Sequence, residues 1–376
     1  MEAQSIRFDH ERTTIQRLNP GGGLACCIMG DAMKGLILAG GKGTRLRPLT
    51  LNLPKPIVPV ANRPFLLYQI DLMKSASIDE IILSLSYQPR KIEDLLKDGA
   101  DFDVLIRYAV EGAPLGTSGA FKNAEEWIEG TTVVFNGDVL TSVDLPAVIA
   151  THREKKSVAT LVLTQVEDPT SYGLVESDAS GRIHRFLEKP SMDEITSNTI
   201  NAGIYILEPS ALEHMPQGKP FSFERELFPS LLAKGEPMYA VVSDQYWIDI
   251  GTPGKYLEVH RDILGGKFKS PAIPPTALTS DVIPDGAFVD SASLVGEGVT
   301  IRENVRIESS VIGPNCKIDS GAHIVDSVLW SSNTIDADAR ISGSILARGC
   351  YVGRSATLQP GTLLGGKSVV TDYSVL

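Results

Sequence analysis

Gly35-Leu36-Ile37-Leu38-Ala39-Gly40-Gly41-Lys42-Gly43-Thr44-Arg45-Leu46-Arg47-Pro48-Leu49-Thr50 decides how this chain is read. The run Gly35 to Ala39 is short and apolar, as a buried strand is. Three glycines among the next four residues, Gly40, Gly41 and Gly43, let the backbone approach a ligand and present successive N–H donors, the usual means of cradling a phosphate. Arg45 adds a planar fork of donors for phosphate oxygens. Lys55 sits in the stiffened Pro54-Lys55-Pro56, where its ammonium can be aimed. The glycines are followed by neither Gly-Lys-Ser/Thr nor the Gly-x-Gly-x-x-Gly spacing, so the P-loop and dinucleotide fingerprints do not apply. A plain glycine turn is the alternative reading.

Working outward, apolar runs at Glu80 to Leu85, Val104 to Tyr108 and Thr132 to Asn136 alternate with helical patterns at Pro64 to Ala76, Ile92 to Leu96 and Gly119 to Trp127. Strand, helix, strand with short loops specifies an α/β fold with a mixed, mostly parallel sheet, whose ligands sit beyond the carboxyl ends of the strands. Ala159 to Thr164, Gly173 to Glu176, Ile204 to Leu207, Met238 to Val242 and Trp247-Ile248-Asp249 follow, then a last helix at Thr252 to Leu264 stopped by Gly265-Gly266.

Beyond that the period changes. Large aliphatics recur at Val295, Ile301, Ile307, Ile312, Ile318, Ile324, Leu329, Ile335, Ile341, Leu346, Val352 and Leu358, in steps of six, six and five. Neither helix nor hairpin produces that spacing. Three short strands per seventeen-residue coil, wound into a prism, do. Ile283 and Val289 extend the pattern upstream and Leu363-Leu364 ends it. Four residues after each coil start come Val299, Cys316, Asn333 and Cys350. This slot faces inward at a corner, so both cysteines are core thiols two rungs apart. Asn333 either finds hydrogen-bond partners there or marks an irregular coil. The division is then 1–32 extension, 33–265 α/β domain, 266–280 linker and 281–376 coiled domain.

The chain has 376 residues, 43% apolar and 22% charged, with 35 Lys and Arg against 46 Asp and Glu. The resulting charge of −11 disfavours a broad nucleic-acid-binding face, and no apolar run reaches membrane-span length. A soluble, cytoplasmic protein without nucleic-acid or membrane partners is expected. Residues 1–32 lack a signal-peptide cleavage pattern and read as a flexible extension of little function. The four cysteines lack zinc or disulfide spacing. His152 and His184 are expected at the surface or in turns, and His323 at a corner of the coiled domain.

Asp138, in Asn136-Gly137-Asp138 at a strand end, and Asp249, in Trp247-Ile248-Asp249, are carboxylates set in apolar stretches. They must be paired, hydrogen-bonded or metal-bound. With phosphate oxygens they would make a magnesium site; a helix cap or a structural ion pair is the alternative. Glu188-Lys189-Pro190 and Asn201-Ala202-Gly203 offer mixed donors and acceptors for a hydroxyl-rich, phosphate-bearing ligand.

Gly40 to Thr50 with Pro54-Lys55-Pro56, Pro114-Leu115-Gly116-Thr117-Ser118-Gly119, Asn136-Gly137-Asp138, Phe186-Leu187-Glu188-Lys189-Pro190, Asn201-Ala202-Gly203 and Trp247-Ile248-Asp249 together resemble the sugar-phosphate nucleotidyltransferases, the NDP-sugar pyrophosphorylases. Within that family they look most like the mannose-1-phosphate guanylyltransferases. The resemblance implies a Rossmann-like domain followed by a left-handed β-helix of hexapeptide-like repeats, and an enzyme joining a nucleoside triphosphate to a sugar 1-phosphate with Mg2+. It implies that Ala39, Gly40, Gly41, Gly43, Thr44 and Arg45 wrap the triphosphate, with Lys55 on a phosphate and Gly116 and Thr117 near base and ribose. Asp138 and Asp249 would hold magnesium, and Glu188, Lys189 and Asn201 the sugar phosphate. Arg45, Lys55, Asp138, Lys189 and Asp249 would carry catalysis. Ser118 stands where alanine is common in the family. The framework is shared with glucose-1-phosphate thymidylyl- and uridylyltransferases, so GTP with mannose 1-phosphate is expected, with those pairs as alternatives. An acyltransferase activity of the coiled half and a non-catalytic regulatory homologue are the rival classes. The coiled half itself is expected to do no chemistry and to support a homo-oligomer.

Overall fold

The computed structural model describes residues 33–276 and 283–376. The expectations for 1–32 and for the second part of the linker lie outside them. Strand Lys34–Leu38 is central and pairs in parallel with Glu80–Leu85 on one side and Thr132–Asn136 on the other, and Leu105–Val110 adds in parallel to Glu80–Leu85. Antiparallel pairing enters on the far side, where Thr199–Leu207 lies between Thr132–Asn136 and Ala159–Gln165. Met238–Val242 then returns parallel to Ala159–Gln165, and the hairpin of Gly173–Ser177 and Ile183–Glu188 completes a nine-stranded mixed sheet. Helices Leu66–Ser75, Pro89–Leu96 and Leu145–Lys155 cover one face, and Gly116–Asn123 with Phe228–Ala233 the other. The helix expected over Gly119 to Trp127 begins at Gly116 and ends at Asn123. The loop before it is closed locally, the Leu115 N–H donating to Glu111 Oε2 (2.9 Å), and this starts the helix early.

Residues 288–370 form three parallel sheets of five short strands each, as the 17-residue count requires of a left-handed prism. Inward aliphatics stack in register, for example Ile307, Ile324, Ile341 and Leu358 along one sheet. One extra residue in the last coil pairs Ile345 with Leu363, and the winding continues past Leu364 to a further strand, Val369–Val370. Asn333 is fully buried in a regular coil. Its Nδ2 donates to the Trp330 carbonyl (2.7 Å) and its Oδ1 accepts from the Cys350 N–H (2.6 Å), so both halves of the amide are satisfied. Cys316 and Cys350 are buried free thiols. A second ladder escaped the count of aliphatics. Ser293, Ser310 and Ser327 each accept, through Oγ, the N–H of the serine seventeen residues on (3.1 Å), as far as Ser344.

The prism packs on the α/β half through a shared apolar core. Val311, Val328, Trp330, Ile345 and Ala347 on its outer face meet Leu46, Leu49, Val58, Phe65, Tyr256 and Val259. Phe268, Ala272 and Ile273 in the described part of the linker pack on the same core. The hairpin of Pro59–Val60 and Arg63–Pro64 turns on Ala61 and Asn62, both at positive φ, and Asn62 Nδ2 at its tip donates to the Ile312 carbonyl of the prism (2.9 Å). Among the described residues no helix is long and apolar enough to cross a membrane.

His152 corrects its expected place. It shares the buried face of helix Leu145–Lys155 with Leu145, Val148 and Ile149, a spacing of three, four and seven that aims it inward. There it bonds Thr160 Oγ1 (2.8 Å) and Glu208 Oε1 (2.9 Å). His184 is exposed as expected, and His323 lies in strand His323–Val325. His260 is 1% exposed, and its tautomer is set by its partners. Nδ1 donates to the Tyr256 carbonyl (2.7 Å), and Nε2 accepts the Ala61 N–H (3.2 Å). Burial holds its pKa down at about 4, the carbonyl opposing. The folded chain therefore binds fewer protons than the unfolded chain between the unfolded imidazole's value, about 6.5, and that depressed value. Stability is full above that window and falls as pH drops through it, with a slope approaching about 1.4 kcal/mol per pH unit from this group. Urea midpoints at pH 7 and pH 5 should separate less in His260→Gln than in the wild type, and equal separations would remove His260 from the account.

Candidate active site

The carboxyl ends of Lys34–Leu38 and Thr132–Asn136 open into a cleft of about 440 Å³. Of the residues singled out in the sequence, Ala39, Gly40, Gly41, Gly43, Thr44, Arg45, Lys55, Gly116, Thr117 and Asp138 line it. Gly43 has φ +59°, a conformation costly for a side chain, and its carbonyl accepts the Thr50 hydroxyl (2.7 Å), which fixes the loop's exit. Gly137 lies against the first strand, where a Cβ would fall 2.3 Å from the Leu38 carbonyl oxygen, so only glycine lets the chain turn there and present Asp138.

Lys55 is 8% exposed, and its Nζ donates to Asp138 Oδ2 at 2.8 Å. A buried ammonium needs such a partner. Arg45 is exposed and makes no ion pair or hydrogen bond with a described side chain; its guanidinium lies against Gly251, beside Asp249. Asp249 stands in strand Trp247–Asp249, paired with Val139–Thr141, and the next N–H, of Ile250, donates to the Asp138 carbonyl (3.0 Å). The two aspartates thus occupy adjoining strands at one mouth of the cleft. Asp249 Oδ1 accepts the Tyr172 hydroxyl (2.7 Å). Burial first, then that hydrogen bond and the Asp249 charge, push the Tyr172 hydroxyl well above its ordinary pKa; Asp138 adds to this and Arg45 opposes it.

The remaining four site residues, Asp249, Asn201, Lys189 and Glu188, are not among the residues lining the cleft. Asn201 sits at an irregularity in Thr199–Leu207, its Nδ2 donating to Tyr205 Oη (2.8 Å) and its Oδ1 accepting the Gly203 N–H (3.0 Å). Lys189 has φ +52°, makes no ion pair with a described residue, and donates its N–H to the Tyr172 carbonyl (3.0 Å). Glu188 ends strand Ile183–Glu188. Burial, and next the charge of Glu224, raise its pKa, while Lys189 and Arg225 oppose. Glu224 links this side to the cleft, accepting from Thr117 Oγ1 (2.8 Å) and Tyr205 Oη (3.1 Å). The Thr117 hydroxyl is therefore committed to the fold, since it also accepts the Phe223 N–H (2.8 Å).

A nucleotidyl transferase model matches residues 34–266, most of the α/β half and all of these elements. The chain belongs to the sugar-1-phosphate nucleotidyltransferase family. A left-handed β-helix model, that of the EIF2B epsilon subunit, matches residues 280–376. The mannose-1-phosphate guanylyltransferase of Mycobacterium tuberculosis is 38% identical over 292 residues, 76% of this chain and 81% of that protein. The UTP–glucose-1-phosphate uridylyltransferase of a Synechocystis strain is 35% identical over 309 residues, 76% of this chain and 80% of that protein. The crystal structure of HddC from Yersinia pseudotuberculosis superposes with a TM-score of 0.53 at 33% identity, covering 60% of this chain and 97% of that one.

As a member of this family the chain is an enzyme that makes an NDP-sugar and pyrophosphate from a nucleoside triphosphate and a sugar 1-phosphate. The family implies a divalent metal. Among the described residues no cluster of three or more ligating side chains exists, so the protein would contribute few ligands. Asp138 Oδ1 and Asp249 Oδ2 take no hydrogen bond from a described residue. Such hard oxygens, with phosphates and water filling the other positions, suit magnesium.

Three residues in or around this cleft went unread in the sequence. Gln69 Nε2 donates to the carbonyls of Asn136 (2.8 Å) and Val139 (2.9 Å), holding the turn that carries Asp138. Tyr172 joins Lys189 to Asp249. Glu111 lines the cleft 9% exposed, its Oε1 accepting from Ser84 Oγ (2.9 Å). None sits in a glycine motif; a polar residue inside an apolar run, as at Gln69, was the available signal. Asp138→Asn keeps the shape but leaves the Lys55 ammonium without its counter-charge. Pyrophosphate release should fall at least about 10²-fold, and the unpaired ammonium should also lower the melting temperature, so release is measured where circular dichroism shows a folded chain. Near-normal release at limiting magnesium would exclude Asp138 from the centre.

Proposed function

We propose that this enzyme joins GTP to mannose 1-phosphate and releases GDP-mannose and pyrophosphate. The observation that carries the choice of base is Glu111. A carboxylate only accepts hydrogen bonds, and each oxygen of Glu111, which lines the cleft, takes one donor from the fold and keeps capacity for another. Guanine presents two adjacent donors on one edge, N1–H and N2–H, matching that pair. Uracil and thymine present one N–H between two carbonyls, which a carboxylate would repel. The guanylyltransferase from Mycobacterium tuberculosis supports the same reading, and the Synechocystis uridylyltransferase keeps UTP with glucose 1-phosphate as the second.

In the reaction an oxygen of the sugar 1-phosphate, already anionic, attacks the α-phosphorus in line. The bond to pyrophosphate breaks, and no side-chain base is needed. The protein's task is to hold two polyanions together. Backbone N–H groups of the 40–44 loop with Arg45 and Lys55 hold the triphosphate, while Lys189, Glu188 and Asn201 hold the sugar phosphate. Asp138 and Asp249 would hold magnesium, which when bound supplies charge neutralisation at the phosphate oxygens. We place the enzyme in the cytoplasm, beside its phosphorylated substrates, as a homo-oligomer joined through the prism, whose last coil leaves Val369, Tyr373, Val375 and Leu376 exposed. Neither the acyltransferase nor the regulatory reading has a comparable set of residues behind it.

A panel of GTP, UTP, dTTP, ATP and CTP against mannose, glucose and N-acetylglucosamine 1-phosphates, scored as pyrophosphate release, should rank GTP with mannose 1-phosphate first. Glu111→Gln should narrow the preference for GTP over UTP by about ten-fold, the worth of one charge-assisted hydrogen bond. A UTP preference in the wild type would overturn the choice of base. Light scattering should give a mass of two or more chains, and a monomer would refute the assembly.

A further inference from the structure

Helix Pro253–Leu264 starts four residues after Asp249 and is buried between the prism and the hairpin that follows Lys55. From its buried face Tyr256 donates its hydroxyl to the Pro59 carbonyl, and His260 receives the Ala61 N–H. Trp330 of the prism donates Nε1–H to the same Tyr256 hydroxyl (2.9 Å). Between Lys55 and Pro59 runs a single turn, in which the Val58 N–H donates to the Lys55 carbonyl (3.2 Å). The prism also touches the end of the phosphate loop directly, since a Cβ at Gly365 would lie 3.0 Å from Pro48 Cβ.

We propose that Tyr256 and Trp330 are positioning residues for Lys55, so that the β-helix holds the phosphate-binding lysine in register with Asp138. The proposal rests on Lys55 acting at a substrate phosphate. The Lys55 ammonium is held by one ion pair at its tip and by this chain of buried bonds at its backbone. Phosphoryl transfer is sensitive to small displacements of the groups that align it. The coiled half would then contribute to turnover without supplying a reacting group.

In the full-length enzyme Tyr256→Phe removes one hydroxyl and with it both bonds. At a temperature where circular dichroism shows a folded chain, its kcat should fall about ten-fold while KM for the nucleotide changes less than about two-fold. On a Lys55→Arg background the same substitution should cost less than about two-fold, because coupled groups are not additive. Arg261→Gln breaks the exposed prism contact of Arg261 with Asp326 (2.7 and 2.6 Å), which does not touch the hairpin, and kcat should not change. If Tyr256→Phe does not fold, Trp330→Phe, which removes the prism's bond to the Tyr256 hydroxyl and leaves the bond to Pro59, tests the prism's share, and kcat should fall by more than about two-fold. A folded variant with wild-type kcat, an equal loss in Arg261→Gln, or a full ten-fold loss on the Lys55→Arg background would each overturn the proposal. Wild-type turnover in Lys55→Arg and in Lys55→Gln would instead overturn the reading of Lys55 on which it rests.

Discussion

The ion pair between Lys55 and Asp138 is the contact on which the site is built. Transferring an ammonium into a nearly closed position costs several kcal/mol unless a carboxylate meets it, so both partners must be brought to the same point. They come from segments 83 residues apart. On the lysine side the backbone is pinned through the hairpin at 59–64 to helix Pro253–Leu264 and the prism. On the aspartate side Gln69 and the Ile250 N–H hold the turn at 136–139. Much of the remaining architecture supplies these two anchors.

Around the pair the electrostatics run against the protein's average. The chain carries a formal charge of −11, yet the cleft lining balances Arg45 and Lys55 against Glu111 and Asp138 and adds a loop of N–H donors, with Lys189 close by across Tyr172. Two of these cations, Arg45 and Lys189, have no ion-pair partner among the described residues, and they remain available to substrate. Of the acids nearby, Asp249 accepts the Tyr172 hydroxyl, and burial with the charge of Glu224 raises the pKa of Glu188.

The prism shows how a repeat satisfies its own polar groups. Each inward corner must be small, and each buried backbone N–H must find an acceptor. The serine ladder meets both demands at one corner, and Asn333 meets them at another by spanning two coils with one amide. The apolar residues it turns outward, Val311, Val328 and Ile345, leave a face that water would penalise, and helix Pro253–Leu264 with the 58–65 hairpin covers it.

The sequence by itself determined the α/β order, the glycine loop after the first strand and the seventeen-residue winding, because each is a local pattern repeated at a fixed interval. Glycine turns and strand ends announced six residues of the cleft, Gly40, Gly41, Gly43, Arg45, Lys55 and Asp138, and the family resemblance added Ala39, Thr44, Gly116 and Thr117. Tertiary structure alone decided what holds those residues in place. Gln69 reaches Val139 across 70 positions, Tyr172 reaches Asp249 across 77, and Trp330 reaches Tyr256 across 74. No periodicity links such pairs, and a lone polar residue on a buried face looks the same in sequence whether its partner is water or a distant carbonyl. His152, by contrast, was misjudged although its spacing on the apolar face of helix Leu145–Lys155 pointed inward. Local physics writes the elements, whereas the satisfaction of buried polar groups depends on which elements meet.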